Sequence, residues 1–350
     1  MTSTPHHNPK KLSRSRLVLI VAGAVVAVLL AAAAWLGWTA MSSYSGKDVR
    51  IFIPANASTE AVADSVMKAV GPAYGRKVTT MWALMGGDPA KARGSYLVKD
   101  GTRAYRTARQ MDAGRQSPVR VTFNNVRLMS DLADRIAARM AFTPADFLAA
   151  ADSLLPAEDF KSEQFPAAFV PDSYEFFWTD SASKVVNTLL SYQRKFWTAE
   201  RKAKAEKLGL TPVQVATLAS IVEEETANAE ERGMVARLYL NRLEKGMKLQ
   251  ADPTVKFAEG NFALRRIGGA MLGNPSPYNT YVHPGLPPGP IRIPEKATID
   301  AVLNAKPHPY IYMCAKADFG GRHDFAVDFA THRANADRYR QALDRRGIKH

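Results

Sequence analysis

An uninterrupted apolar stretch near the N-terminus sets the strongest limit on how this chain can fold. Leu17 to Trp38 contains no charged residue, and about 20 apolar residues suffice to cross a bilayer as a helix. Trp35 and Trp38 lie near its end, where aromatic side chains meet the membrane surface. A cleaved signal peptide is the alternative, but its apolar core is normally about 7–15 residues long. We therefore expect an uncleaved transmembrane helix over residues 17–38.

The residues that precede this helix predict its orientation. Lys10, Lys11, Arg14 and Arg16 lie within residues 1–16, which contain no acidic residue. Because cytoplasmic flanks of membrane helices are rich in Lys and Arg, we expect this segment to be a cytoplasmic tail. The protein would then cross the membrane once, and everything after about residue 40 would be exported.

The composition limits the remaining chemistry. The chain has 350 residues, 46% hydrophobic and 23% charged, which suits an anchor followed by two globular domains. The single cysteine cannot form an internal disulfide or a Cys-rich zinc site. The net charge of +14 favours an anionic neighbourhood such as a membrane surface or a cell-wall polymer. No nucleic acid is expected as a partner, because the sequence contains no nucleic-acid-binding motif.

Residues 47–125 have the pattern of a small α+β module that contains a weak internal repeat. Val49–Ile53 and Val119–Phe123 each predict a strand followed by a helix. Between them, Gly94–Val98 predicts a strand and residues 102–112 predict a helix. The module is either a spacer or a surface that binds glycan or a protein partner, and the pattern fits both.

A strong helix start signal lies at Thr211. Thr211 suits the N-cap, Pro212 the first helical position and Gln214 the capping box. Apolar residues at helical spacing then run to Val222, and three consecutive glutamates, Glu223–Glu225, follow near the predicted end of the helix.

Glu225 is the candidate general acid among these three glutamates. It follows Leu218 and Val222 along the flank of the apolar stripe, whereas Glu224 points away from it. Burial, the negative helix end and neighbouring acids all raise a carboxyl pKa, and a carboxyl group protonated near neutral pH can donate a proton. The alternative is that the run is only a solvated face, which is the commoner meaning of a charge run.

Segments before and after this helix contain further candidate substrate-binding residues, each of which also has a purely structural explanation. Residues 170–178 are rich in aromatic side chains, which form either a sugar-stacking wall or ordinary core. Gln250 and Asp252 could hydrogen-bond a polar ligand or only form a turn. The Pro/Gly-rich residues 284–290 predict a rigid irregular loop, and residues 310–313 predict a buried strand.

Other catalytic chemistries fit the sequence poorly. His323 and His332 do not have the spacing of a helical metal-ligand pair and imply no third ligand, so neither a metal nor a cofactor is expected. Ser220 lacks the small-residue turn of serine hydrolases. Cys314 is predicted to lie in an apolar strand and is therefore not expected to act as a nucleophile.

Four segments in this order resemble the signature of the MltG (YceG-like) endolytic murein transglycosylase family. The resemblance is strong over about residues 165–345 and extends to the preceding region in layout only. The segments are Ala219–Thr226, Leu249–Val255, Tyr278–Tyr281 with Gly285–Gly289, and the tail from His323 to His332.

The resemblance implies both a fold and a reaction. The fold is α+β, with a LysM-like module at 47–125 and a YceG-like catalytic domain at 126–345. The reaction is non-hydrolytic cleavage of MurNAc-β-1,4-GlcNAc bonds within nascent peptidoglycan strands, which leaves 1,6-anhydro-MurNAc ends and terminates glycan elongation. In the family's V-E-x-E-T pattern the catalytic glutamate corresponds to Glu225, and the first glutamate to Glu223.

The resemblance also implies partners and substrate-binding residues. Peptidoglycan glycan strands and the inner membrane are expected partners, and peptidoglycan synthases a further one. Competing functions are a muramidase that hydrolyses the same bond and a non-catalytic, membrane-anchored scaffold that binds peptidoglycan for cell-wall synthases. The residues expected to bind substrate are Glu223, Gln250, Asp252, Tyr278, Asn279 and His323. Glu223 is also a candidate to hold Glu225 in place or to tune its pKa.

Overall fold

The chain folds into two units of mixed α+β structure in the computed structural model, which describes residues 14–264 and 266–347. One unit runs to Pro118 and includes Phe177–Thr179. The other consists of Val119–Phe176 and the chain from Asp180 onward. The α+β class predicted from the sequence is confirmed.

The first helix, α1, spans Arg14–Met41 and extends beyond the predicted 17–38 at both ends. It has a mean hydropathy of 2.9 over its most apolar window, none of which is buried in the protein. Among the described residues it is the one helix long and apolar enough to cross a membrane. Its orientation remains a prediction.

The rest of the first unit is a two-stranded antiparallel sheet packed against helices. Val49 of one strand lies opposite Val98 of the other, and Ile53 opposite Gly94. Trp82 and Tyr96 are among the largest side chains buried in its core. The LysM-like character of this unit remains a prediction. Its elements after α1 are β1 (Val49–Ile53), α2 (Thr59–Val70), α3 (Pro72–Leu84), α4 (Pro89–Ala92), β2 (Gly94–Val98) and α5 (Ala104–Asp112).

The second unit is largely helical and contains two further antiparallel strand pairs, β3 with β4 and β5 with β6. Its strands are β3 (Val119–Phe123), β4 (Asp172–Phe176), β5 (Tyr312–Ala315) and β6 (His323–Ala326). Its helices are α6 (Met129–Ala137), α7 (Pro144–Leu154), α8 (Ala182–Phe196), α9 (Ala199–Lys207), α10 (Pro212–Glu225), α11 (Arg232–Glu244), α12 (Asp252–Ala258), α13 (Lys296–Leu303) and α14 (Phe329–Arg345).

The boundary between the units differs from the predicted one at residue 125. The structure places it after Pro118, because β3 pairs with β4 and therefore belongs to the second unit. Both predicted strand-helix pairs are present, β1 with α2 and β3 with α6, but they lie in different units.

Two local predictions in the second unit have clear outcomes. Within the aromatic cluster of residues 170–178, Tyr174 and Phe176 are 1% and 3% exposed and belong to the core, whereas Phe177 is 43% exposed. The structure therefore excludes Tyr174 and Phe176 from a sugar-stacking wall, and the role of Phe177 stays a prediction. The strand expected over residues 310–313 begins instead at Tyr312 and is only half-buried. It is half-buried because, within residues 14–264 and 266–347, β5 and β6 pair only with each other and no further strand covers the edges of this sheet.

Helix α10 lies at the centre of the second unit. Every residue from Val215 to Glu223 is buried, because α9, α11, α12 and α13 pack around it. The sequence predicted a one-sided apolar stripe, but small residues such as Ala216 and Ala219 let neighbours approach on several sides. This enclosure fixes the position of the C-terminal end of α10.

Candidate active site

The predicted capping box forms at the start of α10. The Thr211 hydroxyl accepts the Gln214 backbone N–H at 3.2 Å, and the Gln214 side-chain oxygen accepts the Thr211 N–H at 2.8 Å. The helix ends at Glu225, since Thr226 has an extended backbone with φ of −138°. These signals fix the register of the helix and therefore the direction in which Glu225 points.

Glu225 lines a cavity of about 280 Å³ in the second unit. Three other residues predicted for the site, Gln250, Asp252 and His323, line the same cavity. The sequence analysis missed three polar residues that complete its wall, which are Tyr239, Arg242 and Tyr281.

The Glu225 carboxyl group has the electrostatic environment of a general acid. Burial is the main cause that raises its pKa to about 7, because the charged form loses hydration. The Tyr239 hydroxyl donates to Glu225 Oε1 at 2.7 Å and opposes this rise, whereas the negative charge of Asp252 adds to it. The direction of the shift was predicted, but the acidic neighbour is Asp252 and not the adjacent glutamates.

Asp252 and Tyr281 form a hydrogen-bonded pair in the same cavity. The Tyr281 hydroxyl donates to Asp252 Oδ1 at 2.7 Å. Burial and this hydrogen bond raise the pKa of Tyr281, so the phenol stays protonated and remains a donor. The pair therefore holds a negative charge in a fixed place beside Glu225.

Arg242 supports the floor of the cavity. Its side chain is buried and donates from Nε to the Ile311 carbonyl at 2.7 Å and from a terminal nitrogen to the Leu249 carbonyl at 2.7 Å. These bonds tie the residues that precede Gln250 to the segment that enters β5. Gln250 itself has φ of +53°, a left-handed conformation that non-glycine residues rarely adopt and that is enriched at functional sites.

His323 is held by a carboxylate from the segment that precedes α11. Glu231 accepts the His323 backbone N–H at 3.0 Å, and its other oxygen lies 3.0 Å from His323 Nδ1. This double contact orients the imidazole ring of His323, which lines the cavity.

Glu223 and Glu224 lie outside this cavity in the network that holds α10 in place. Glu223 accepts the Glu295 backbone N–H at 2.8 Å and the Thr298 hydroxyl at 2.7 Å. Arg292 forms ion pairs with Glu223 at 3.0 Å and with Glu224 at 2.7 Å. The structure therefore separates Glu223 from Glu225 and gives it contacts with α13, not with the cavity.

Tyr278 and Asn279 also lie outside the cavity lining. Asn279 is fully buried and donates to the carbonyls of Leu272 and Asn274, while its side-chain oxygen accepts the Tyr281 N–H at 3.0 Å. Tyr278 packs against Phe257 with ring centroids 4.6 Å apart. Asn279 therefore shapes the loop that presents Tyr281 to the cavity.

These features define a class of protein, namely a mixed α+β domain whose polar cavity is organised around one carboxyl group that is protonated near neutral pH. The sequence model of the YceG-like family matches residues 51–338 of this chain. The match covers most of the chain, and the protein belongs to the YceG-like family.

Curated relatives agree with this assignment. The chain is 32% identical over 148 residues to an endolytic murein transglycosylase of Bacillus subtilis (strain 168), a match that covers 42% of this chain and 41% of that protein. It is 33% identical over 115 residues to an endolytic murein transglycosylase of Streptococcus pneumoniae (strain D39), covering 32% of this chain and 21% of that protein. The matches thus span less than half of each relative.

A crystal structure supports the fold alone. A YceG-like protein from Listeria monocytogenes superposes with a TM-score of 0.54 at 23% sequence identity. The alignment covers 82% of this chain and 98% of that one.

Proposed function

We propose that the protein is a membrane-anchored endolytic lytic transglycosylase in which Glu225 is the catalytic acid and base. The observation that carries this proposal is a carboxyl group with a pKa of about 7 in the wall of a polar cavity. Such a group is partly protonated at neutral pH and can give up and regain a proton during one turnover. The curated relatives bear the name of this activity.

The proposed reaction needs one carboxyl group and no attacking water. Protonated Glu225 donates to the glycosidic oxygen, the bond from that oxygen to C1 of MurNAc breaks, and an oxocarbenium-like centre develops. The Glu225 carboxylate then takes the proton of the C6 hydroxyl of the same sugar. The C6 oxygen bonds to C1, which gives a 1,6-anhydro-MurNAc end and returns the proton to Glu225.

The neighbours of Glu225 would orient its carboxyl group, stabilise the positive centre on the sugar and bind the substrate. Tyr239 binds Oε1 of the carboxyl group, which leaves Oε2 available to the substrate. Asp252 carries a negative charge that would favour a positive centre on the sugar ring. Gln250 and His323 are the cavity's remaining polar groups among those predicted to bind substrate, and amide and imidazole groups suit N-acetyl and hydroxyl groups.

The cellular setting belongs to the same proposal. Helix α1 would anchor the protein in the inner membrane with its N-terminus in the cytoplasm. The cavity would then face the periplasm, where cleavage within nascent glycan strands would end their elongation. Peptidoglycan synthases that extend these strands are the expected partners.

The test compares the full-length protein in detergent with two glutamate variants on purified peptidoglycan. Glu225→Gln keeps the shape of the side chain but cannot donate an acidic proton, so kcat/KM should fall by at least about 100-fold. Glu230→Gln is the control, because Glu230 is exposed and lies outside the cavity, and it should retain wild-type activity. Equal activity of the Glu225→Gln variant and the wild type would remove Glu225 from the mechanism.

A hydrolase is the second candidate, and one observation favours it. Asp252 places a second carboxyl group in the cavity that contains Glu225, and glycoside hydrolases normally use two carboxyl groups. Products with reducing ends would identify a muramidase. If neither the wild type nor any variant releases products, while the protein still binds peptidoglycan, the non-catalytic scaffold becomes the better account.

A further inference from the structure

An open groove of about 490 Å³ lies in the first unit, beside the C-terminal end of α1. Ala40 and Met41, at the end of the apolar helix, form one side of it. Loop residues 101 and 102 and the first turns of α5 form the other side. The groove is separate from the Glu225 cavity and lies in a different unit of the chain.

Three arginines give this groove a strong positive charge. Arg103, Arg106 and Arg109 all line it, and all three are exposed. None of the described residues that line the groove is acidic. Within residues 14–264 and 266–347, none of the three side chains has a hydrogen bond or an ion pair with another protein group. Their charge is therefore available to an external anion.

The end of the apolar helix fixes the depth of the groove in a membrane. The apolar stretch 17–38 ends at Trp38, and after Thr39 come Ala40 and Met41 at the end of α1. A tryptophan at this position lies at the level of the lipid headgroups. The ammonium group of Lys77 is 3.9 Å from the Trp38 ring centroid, as expected where the hydrocarbon region gives way to charged headgroups. The groove that follows is thus at the level of the phosphates.

Main-chain hydrogen bonds tie the groove to the segment that follows α1. The Ala104 N–H donates to the Ser42 carbonyl at 2.9 Å, and the Tyr44 N–H donates to the Thr102 carbonyl at 2.8 Å. The Lys77 ammonium donates to the Ser42 hydroxyl at 2.9 Å. The start of α5 is therefore fixed relative to the end of α1.

We infer that this groove binds the headgroups of anionic phospholipids in the leaflet that surrounds the C-terminal end of α1. Guanidinium groups bind phosphate oxygens through paired hydrogen bonds. Tyr105 is 42% exposed beside the arginines, and its amphipathic ring suits the boundary between headgroups and acyl chains. The apolar side formed by Ala40 and Met41 would accept the upper part of an acyl chain. This inference rests on the proposed membrane anchor and does not depend on the catalytic role proposed for Glu225.

The test measures lipid binding by the full-length protein in neutral detergent micelles. Phosphatidylglycerol and phosphatidylcholine, each with a fluorescent acyl chain, are titrated separately. The wild type should bind phosphatidylglycerol more tightly. Each arginine removed should weaken this binding by about fivefold, since each basic residue near an anionic surface typically strengthens binding by about that factor. The groove variant combines Arg103→Gln, Arg106→Gln and Arg109→Gln.

A matched variant controls for the loss of net charge. It removes three exposed basic residues of the same unit that lie outside the groove, by Lys68→Gln, Arg93→Gln and Arg115→Gln. It should retain the preference for phosphatidylglycerol, and thermal unfolding should give similar midpoints for both variants. Equal losses in the two variants, or no preference in the wild type, would overturn the inference. Displacement of the lipid by inorganic phosphate or by soluble anionic glycan at matched concentration would also overturn it, because the groove would then serve those ligands.

Discussion

At the scale of single residues, the chemistry depends on how burial and two neighbours, Tyr239 and Asp252, set the pKa of Glu225. Burial raises it, the hydrogen bond from Tyr239 lowers it and the charge of Asp252 raises it again. A general acid must be protonated before it acts, so kcat/KM should fall as pH rises through the pKa of about 7. Changes at the two neighbours should move this fall in opposite directions.

Asp252→Asn should move the alkaline fall in kcat/KM to lower pH. The substitution removes a like charge, so the Glu225 carboxylate becomes easier to form and its pKa decreases. The asparagine oxygen can still accept the hydrogen bond from Tyr281. The measurement is the pH dependence of kcat/KM for wild type and variant, and a shift to higher pH would contradict the assigned role of Asp252.

Tyr239→Phe should move the same fall to higher pH. The lost hydrogen bond stabilises the charged carboxylate, so its removal raises the pKa of Glu225 further. Tyr192→Phe is a suitable control, because Tyr192 is exposed and lies outside the cavity. If Tyr239→Phe lowers kcat/KM equally at every pH and does not move the pH at which kcat/KM falls, the assigned role of Tyr239 in setting the pKa of Glu225 is contradicted.

At the scale of secondary-structure elements, the sequence predicts α10 well and its surroundings poorly. The cap at Thr211, the capping box with Gln214 and the helix end near Glu225 are local signals, and all are present in the structure. The partner Tyr239 comes from another helix and Asp252 from the start of α12, so no local pattern links them to Glu225. The sequence gives no sign that Tyr239 and Arg242 differ from other helix residues, because their burial arises only from tertiary packing.

The lack of a local signal for tertiary contacts also explains why Glu223 lies away from Glu225, where the sequence did not place it. Its neighbours in sequence suggested a contact with Glu225, but its side chain turns to Glu295, Thr298 and Arg292. Consecutive residues on a helix point about 100° apart, so Glu223 and Glu225, which are two positions apart, point to nearly opposite sides of α10. Glu223 thereby joins α10 to the start of α13.

Glu223→Ala should destabilise the fold and leave the pKa of Glu225 in place. The substitution removes one partner of a buried ion pair and leaves Arg292 with less compensation, which typically costs about 3–5 kcal/mol. Chemical denaturation should report this loss, while the pH at which kcat/KM falls should match the wild type in the folded protein. Glu230→Ala, at an exposed site, should leave both the stability and the pH at which kcat/KM falls unchanged. A shifted pH profile with unchanged stability would assign Glu223 to the catalytic centre instead.

At the scale of the whole molecule, the long apolar helix α1 was predictable and the unit boundary was not. An apolar stretch without charges has few alternatives to a membrane helix, and α1 includes all of residues 17–38. The boundary depends on which strands pair, and β3 pairs with β4 across an intervening stretch that contains α6 and α7. A strand's own sequence does not specify so distant a partner.

The predicted orientation can be tested by labelling single cysteines. In a Cys314→Ser background, Lys306→Cys should react with a membrane-impermeant maleimide in intact spheroplasts, because Lys306 is exposed in the second unit. Ser3→Cys lies before α1 and should react only after the membrane is permeabilised. The reverse pattern would place the Glu225 cavity in the cytoplasm and exclude periplasmic peptidoglycan as its substrate.

The most direct test of the central claim is mass spectrometry of the products formed from purified peptidoglycan in water labelled with heavy oxygen. If Glu225 closes an anhydro ring, the full-length wild type releases fragments that end in 1,6-anhydro-MurNAc and contain no label at the cleaved bond. The Glu225→Gln variant should release almost none of these fragments. Labelled fragments with reducing ends would show that water attacks the sugar, and would contradict the mechanism proposed for this site.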